Sequence, residues 1–155
     1  MNKTNVMRKL DNQKIDYKVW GHKVEVFTDA ASLAKENGQP LEQTYKSIVC
    51  TGKSGKHYSF AVQATAKINL KKAASLVNEK NLELLPLEEL YPLTGYHRGG
   101  CSIIGIKQQF PVIIDRSALN FQTILISAGE VGVMIEADTH ALGQLVQAKF
   151  ENIQV

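Results

Sequence analysis

Between Thr94 and Gly105 the chain reads Thr-Gly-Tyr-His-Arg-Gly-Gly-Cys-Ser-Ile-Ile-Gly, four glycines in twelve residues within otherwise well-patterned sequence. Such a run cannot hold a helix, so irregular backbone must join the elements on either side. Glycine reaches positive φ and lets other groups approach the main chain. Gly99, Gly100 and Gly105 can therefore hold a turn whose N–H groups face a cleft, where an anion or a polarised carbonyl would sit. The same composition also describes a tight connection between strands, and the segment alone leaves both readings open.

Upstream, Thr4 is placed to cap a helix with Val6, Met7 and Leu10 on one side and Arg8, Lys9 and Asp11 on the other, packing as a lid. Ile15, Tyr17 and Val19 alternate with Asp16 and Lys18, as in a strand buried on one face. Asp29 starts a short helix through Ala31, Leu33 and Ala34, which Gly38 ends. Pro40 keeps the next segment extended. The runs 47–51 and 57–62, separated by Gly52-Lys53-Ser54-Gly55-Lys56, predict a β-hairpin. Asn69 caps a helix whose apolar stripe is Leu70, Ala73, Ala74 and Val77. A short strand follows over 82–85, then a short helix that Pro86 opens and Pro92 closes. Beyond the glycines, 112–114, 123–126 and 131–135 read as strands, the last two joined across Ala128-Gly129-Glu130. Asp138 caps a final helix that buries Leu142, Leu145 and Val146. Hairpins with interspersed helices, rather than strict βαβ alternation, predict an α+β fold with a curved, mostly antiparallel sheet.

A length of 155 residues fits one domain with a sizeable core, and 44% hydrophobic with 21% charged residues is ordinary globular composition. No apolar leader and no run of eighteen apolar residues occurs, so a cytoplasmic protein with no membrane contact is expected. Cys50 and Cys101 stand far apart without a Cys-x-x-Cys or Cys/His cluster, which predicts reduced thiols and no zinc site. The net charge of +3 tolerates an RNA partner without demanding one.

Chemistry has few residues to work with. There is no Ser-His-Asp order, carboxylate pair, Walker loop or metal-ligand spacing, so neither a metal nor a cofactor is expected. Amides of the glycine segment suit an oxyanion hole, with Gly100 and Cys101 as donors, and each preorganised donor lowers an acyl-transfer barrier by roughly 3 kcal/mol. Cys101 is not expected to act through sulfur, because no His is placed beside it and His97 is as well suited to solvent or RNA. Lys46, just before an apolar strand, sits at a pocket mouth or is simply solvated. Ser127 ends an apolar strand, where its hydroxyl meets a substrate or closes an ST-type turn.

Gly95-Tyr96-His97-Arg98-Gly99-Gly100-Cys101-Ser102 resembles the glycine loop of the YbaK/EbsC family of aminoacyl-tRNA deacylases. Thr44-Tyr45-Lys46-Ser47 resembles the motif that carries that family's functional lysine. The segment 64–73 is similar to its strand-to-helix region and Ser127-Ala128-Gly129 to its serine-glycine turn, all in family order and together covering nearly the whole chain. The resemblance implies one deacylase domain over residues 1–155, folded as a small, mostly antiparallel barrel-like sheet with peripheral helices, like the editing domain of prolyl-tRNA synthetases. It implies a trans-editing enzyme acting on the acceptor end of aminoacyl-tRNA. Cys-tRNA(Pro) and Cys-tRNA(Cys) lead as substrates, and prolyl-tRNA synthetase is a candidate partner. Lys46 would hold the terminal adenosine or phosphate and the ester, with Gly100 and Cys101 completing the oxyanion site. Gly99, Ser127 and His22 would contact substrate, His22 standing where relatives often carry tyrosine. The substrate's own thiol would attack its ester, since a poised intramolecular nucleophile reaches effective molarities on the order of 10⁵ M. Two positions depart from the family pattern: Ile103 replaces a proline after Gly-Gly-x-Ser, and Glu130-Val131 replaces a Lys or Arg that would meet tRNA phosphate. These departures keep a second reading in play, a non-catalytic module of the same fold that binds a tRNA end or nucleotide.

Overall fold

Side chains at four helix starts accept the N–H three residues on: Thr4 from Met7, Asp29 from Ser32, Asn69 from Lys72 and Asp138 from Ala141. Such caps satisfy donors that a first helical turn leaves orphaned. A computed structural model describes residues 2–155. In chain order the elements are α1 (Asn5–Asn12), β1 (Tyr17–Gly21), α2 (Ala30–Glu36), β2 (Tyr45–Gly52), β3 (His57–Gln63), α3 (Leu70–Leu76), β4 (Leu82–Leu84), α4 (Leu87–Thr94), β5 (Val112–Asp115), β6 (Thr123–Glu130), β7 (Val133–Asp138), α5 (Thr139–Leu145) and β8 (Lys149–Glu151). Single 3₁₀ turns cover Leu41–Gln43 and Arg116–Asn120. No described helix is long and apolar enough to cross a membrane.

The strands form two sheets, β1-β7-β6 and β4-β2-β3-β5-β8. Pairing is antiparallel except where β5 runs parallel to β3 and to β8. Alternation in the central strands explains the layering. Tyr45 and Ala61 enter one apolar cluster, with Ile124, Ile126 and Ile135 of the small sheet, whereas Phe60 and Val62 enter a second cluster under Ala73 and Ala74 of α3. Strands covered on both faces read as continuous apolar runs, as Phe60-Ala61-Val62 does.

The expected α+β fold with a mostly antiparallel sheet and peripheral helices forms, but the sheet does not close into a barrel. The two sheets meet in one parallel bridge, Thr44 to Leu125. One edge of β2 is paired with β3 along its length, and its other edge is covered only from Val49 onward, where the Val49 carbonyl accepts the Leu85 N–H at 3.0 Å and the ladder with β4 begins at Cys50.

Helix α1 has the two sides expected of it, Val6, Met7 and Leu10 buried in the cluster between the sheets and Arg8, Lys9 and Asp11 exposed. Several local expectations are corrected. Val19 is exposed on β1. Pro92 lies inside α4, which Gly95 ends at φ +79°, its N–H bonded to the Tyr91 carbonyl at 2.8 Å. Ala128-Gly129-Glu130 is not the β6–β7 turn. β6 bulges between Ser127 and Glu130 and turns at Val131-Gly132, where Gly132 takes φ +92°. The short strand β8 had no sequence signal, since its residues gain a partner only when the chain returns beside β5.

Candidate functional site

The unpaired half of the β2 edge, between the Thr44 bridge and Val49, opens onto a cavity of about 390 Å³. That volume falls in the range of about 300–1,000 Å³ typical of small-molecule sites. Thr44 to Val49 form its floor, Ser127 and Met134 one side, and Leu84, Leu85, Leu87 and Leu90 the other. Phe27, Asp29 and Leu33 close it from the α2 segment, and Arg98, Gly99 and Cys101 from the glycine stretch.

Lys46 is half-buried in this wall, and its Nζ donates to the Ala64 carbonyl at 3.2 Å, its only hydrogen-bond partner among the described residues. Burial holds its pKa below the ordinary 10.5, the Asp29 carboxylate works against that shift, and Lys67 adds to it. An ammonium depleted of water interacts more strongly with a charge that develops beside it. Asp29 accepts from the Ser32 N–H and hydroxyl, both at 2.8 Å, which hold its carboxyl below the usual range. It is the one carboxylate among the described residues of the wall. Lys46 and Arg98 outnumber it, so the cavity favours an anionic ligand.

The glycine stretch contains a β-turn from His97 to Gly100. Gly100 N–H donates to the His97 carbonyl at 2.9 Å, and Gly99 adopts φ +85°, the sign that the third position of a type II turn requires. This corrects one expectation. The Gly100 amide is already paired, and a Cβ there would lie 3.0 Å from Val131 N and 3.1 Å from the Glu130 carbonyl carbon. What approaches its bare face is therefore the β6–β7 turn rather than a substrate. Gly105 also lies outside the cavity, its N–H bonded to Gln109 Oε1 at 2.9 Å. The N–H groups of Gly99 and Cys101, both in the wall, have no acceptor among the described residues.

Burial pushes the Cys101 thiol up to about 11, while its contact with Ser47 Oγ at 3.8 Å pulls the other way. Cys50, fully buried under α3, is pushed up to about 12. Neither is a thiolate at neutral pH. The Ser127 hydroxyl accepts from the Gly129 N–H at 3.1 Å, closing the bulge of β6, and keeps its own proton to donate. His22 is not brought to the site. It is exposed beyond β1, and its carbonyl faces Gly132.

Sequence reasoning missed Asp29 as a cavity residue, reading it only as a cap, along with Phe27, Arg98, Met134 and the leucines of β4 and α4. A signal existed for the leucines. Leu84-Leu85-Pro86-Leu87 is richer in leucine than a short surface helix needs, and Leu84 and Leu87 are 56% and 57% exposed.

Compared with known proteins, residues 24–145 match the aminoacyl-tRNA editing domain family. A protein of Enterococcus faecalis with the provisional name Cys-tRNA(Pro)/Cys-tRNA(Cys) deacylase EbsC is 34% identical over 155 residues, covering 97% of this chain and 93% of that one. Among solved structures, one described as a trans-editing enzyme for prolyl-tRNA synthetase superposes with a TM-score of 0.80 at 23% identity over 99% of both chains. A hypothetical protein superposes with a TM-score of 0.85 at 16% identity, over 98% of this chain and 100% of that one. Those two likenesses establish the fold.

Proposed function

The chain belongs to the aminoacyl-tRNA editing domain family, and from that membership we propose that it clears cysteine in trans from mischarged tRNA, Cys-tRNA(Pro) first among its substrates. The observation that carries this reading is Lys46, a half-buried residue whose ammonium has a single protein acceptor, lining the same cavity as Gly99 and Cys101, whose amides are unpaired among the described residues. The E. faecalis relative carries the same substrate class in its name.

In the proposed reaction the cysteinyl group of the substrate, as thiolate, adds through sulfur to its own ester carbonyl carbon. The carbonyl oxygen takes the negative charge, held by the Lys46 ammonium and by the Gly99 and Cys101 N–H groups in place of the Gly100 amide. Each such donor contributes about 3 kcal/mol where water is excluded. The oxyanion then collapses, the carbon–oxygen bond to the terminal ribose breaks, the ribose oxygen takes a proton, and cysteine departs as a thiolactone. The protein thiols are un-ionised at neutral pH, which supports assigning the attack to the substrate. Ser127 keeps a proton to donate to the bound aminoacyl group.

A second reading, a module that binds a tRNA end without turnover, is favoured by one observation: the Gly100 amide is consumed by its own turn. Incubation with Cys-, Ser-, Ala- and Pro-charged tRNA, without any synthetase, separates the two. Release from Cys-tRNA above the spontaneous rate, lost in Lys46→Ala, supports the enzyme, and binding without release supports the module.

A further inference from the structure

On the outer side of the cavity mouth, Tyr91 and His97 stack with ring centroids 4.4 Å apart and planes inclined by 16°. Both are exposed, Tyr91 by 52%, and neither has a second aromatic partner among the described residues. The backbone fixes this arrangement. Gly95 ends α4 in the left-handed region and bonds back to the Tyr91 carbonyl, so the chain reverses and sets His97 against the ring six residues earlier. The stack joins two pieces of the cavity wall, because Leu87 and Leu90 precede Tyr91 on α4 while Arg98 and Gly99 follow His97. Cations flank it. The Arg98 guanidinium lies 5.3 Å from the Phe27 ring centroid, and Lys107 Nζ donates to the Pro92 carbonyl at 3.0 Å. Glu88 and Glu89 lie in the first turn of α4, Glu88 one turn before Tyr91.

An exposed, preorganised aromatic pair beside cations is the arrangement on which unpaired bases stack, because every base has a π face and its backbone carries a negative charge. We propose that the Tyr91–His97 stack is a platform for the single-stranded nucleotide that precedes the terminal adenosine of the acceptor end, while that adenosine and its aminoacyl ester occupy the cavity. The assignment rests on the functional reading above. It adds a contact outside the cavity that selects a polynucleotide end over a free aminoacyl nucleoside.

The test compares two substrates, cysteinyl-tRNA and cysteinyl-adenosine, which lacks the upstream nucleotides. Loss of one base-stacking contact corresponds to roughly a 5- to 150-fold effect. Tyr91→Ala and His97→Ala should therefore raise KM for the tRNA by that factor with kcat within about twofold, should not raise KM for cysteinyl-adenosine, and Tyr91→Phe should behave as wild type. Equal losses on both substrates, or none on the tRNA, would overturn the platform. Binding of an uncharged oligoribonucleotide ending in CCA, followed by fluorescence anisotropy, reads the platform without turnover. Should the wild type release no cysteine, the deacylase reading fails, while a weaker Kd in Tyr91→Ala still supports the platform and an equal Kd removes it.

Discussion

Lys46 joins two opposed demands in one side chain. Burial disfavours its charge, and the same dryness gives that charge its value to a developing oxyanion. A lysine whose folded pKa lies below its ordinary 10.5 costs stability while it is charged in the fold. That cost is full at pH values below the folded pKa and is relieved as pH rises from there through 10.5, because the unfolded chain then binds more protons. Lys46→Met should consequently leave the thermal midpoint at pH 7 unchanged or higher while deacylation falls by about 100-fold or more. A folded Lys46→Met variant with wild-type turnover would remove the lysine from the mechanism. At Cys101 the expectation is the reverse. With its thiol held up to about 11, Cys101→Ala should retain most activity, since the amide it contributes is kept, and abolished turnover in a folded variant would return the nucleophile to the protein.

At the scale of elements, the glycine stretch works by packing against its neighbours. Gly99 needs its positive φ, which costs other residues about 1–2 kcal/mol, and a Cβ there would also lie 2.4 Å from the Phe27 ring. Gly100 has no such dihedral, but its Cβ would press on backbone at the β6–β7 turn, which cannot swing away as a side chain can. Gly99→Ala and Gly100→Ala should each lower stability by about 1–3 kcal/mol, read as a fall in the urea midpoint, with slower turnover following from the displaced Cys101 amide. If Gly100→Ala kept wild-type stability and still lost turnover, the carbonyl-approach role expected from sequence would be restored. The neighbourhood also gives Glu130-Val131 a structural meaning, since the pair that departs from the family pattern is the one against which Gly100 closes.

Across the whole molecule, the cavity exists because β2 lacks a partner along half of one edge, and its dimensions depend on how the two sheets are held. Within the larger sheet, Asp115 fixes the end of β5. It is 3% exposed and accepts from Ser117 N–H at 3.0 Å and Ile153 N–H at 2.9 Å, tying the end of the chain to β5. Asp115→Ala leaves the buried Ile153 N–H and the part-buried Ser117 N–H without this acceptor and should cost about 1–3 kcal/mol, visible as an earlier urea transition. The source of the nucleophile is also tested at this scale, through pH. The cysteinyl-tRNA rate should rise with pH through the substrate thiol, near or below about 8.5, and fall again below 10.5 as Lys46 loses its proton. Seryl-tRNA should be cleared roughly tenfold or more slowly, because an alcohol is scarcely ionised at these pH values. Equal rates for the two substrates, or a rising limb near 11, would point away from substrate-assisted attack.

Features whose causes are local were legible in the amino-acid sequence. Caps at Thr4, Asp29, Asn69 and Asp138 bond within three residues of themselves, and the hairpin around Gly52–Lys56 is set by alternation and turn residues, so both could be read along the chain. Lys46, Gly99, Cys101 and Ser127 were legible as a group because their motifs resemble those of a known family, and the fold brings all four into one wall. Other features depend on partners distant in sequence and emerge only on folding. Val131 consumes the space at Gly100 and excludes a ligand there, and β5 gives β8 its strand. That Phe27, Asp29, Arg98 and Met134 line one cavity with Lys46 likewise follows from the gap in the β2 edge, since no property of those residues read singly marks them as sharing a wall.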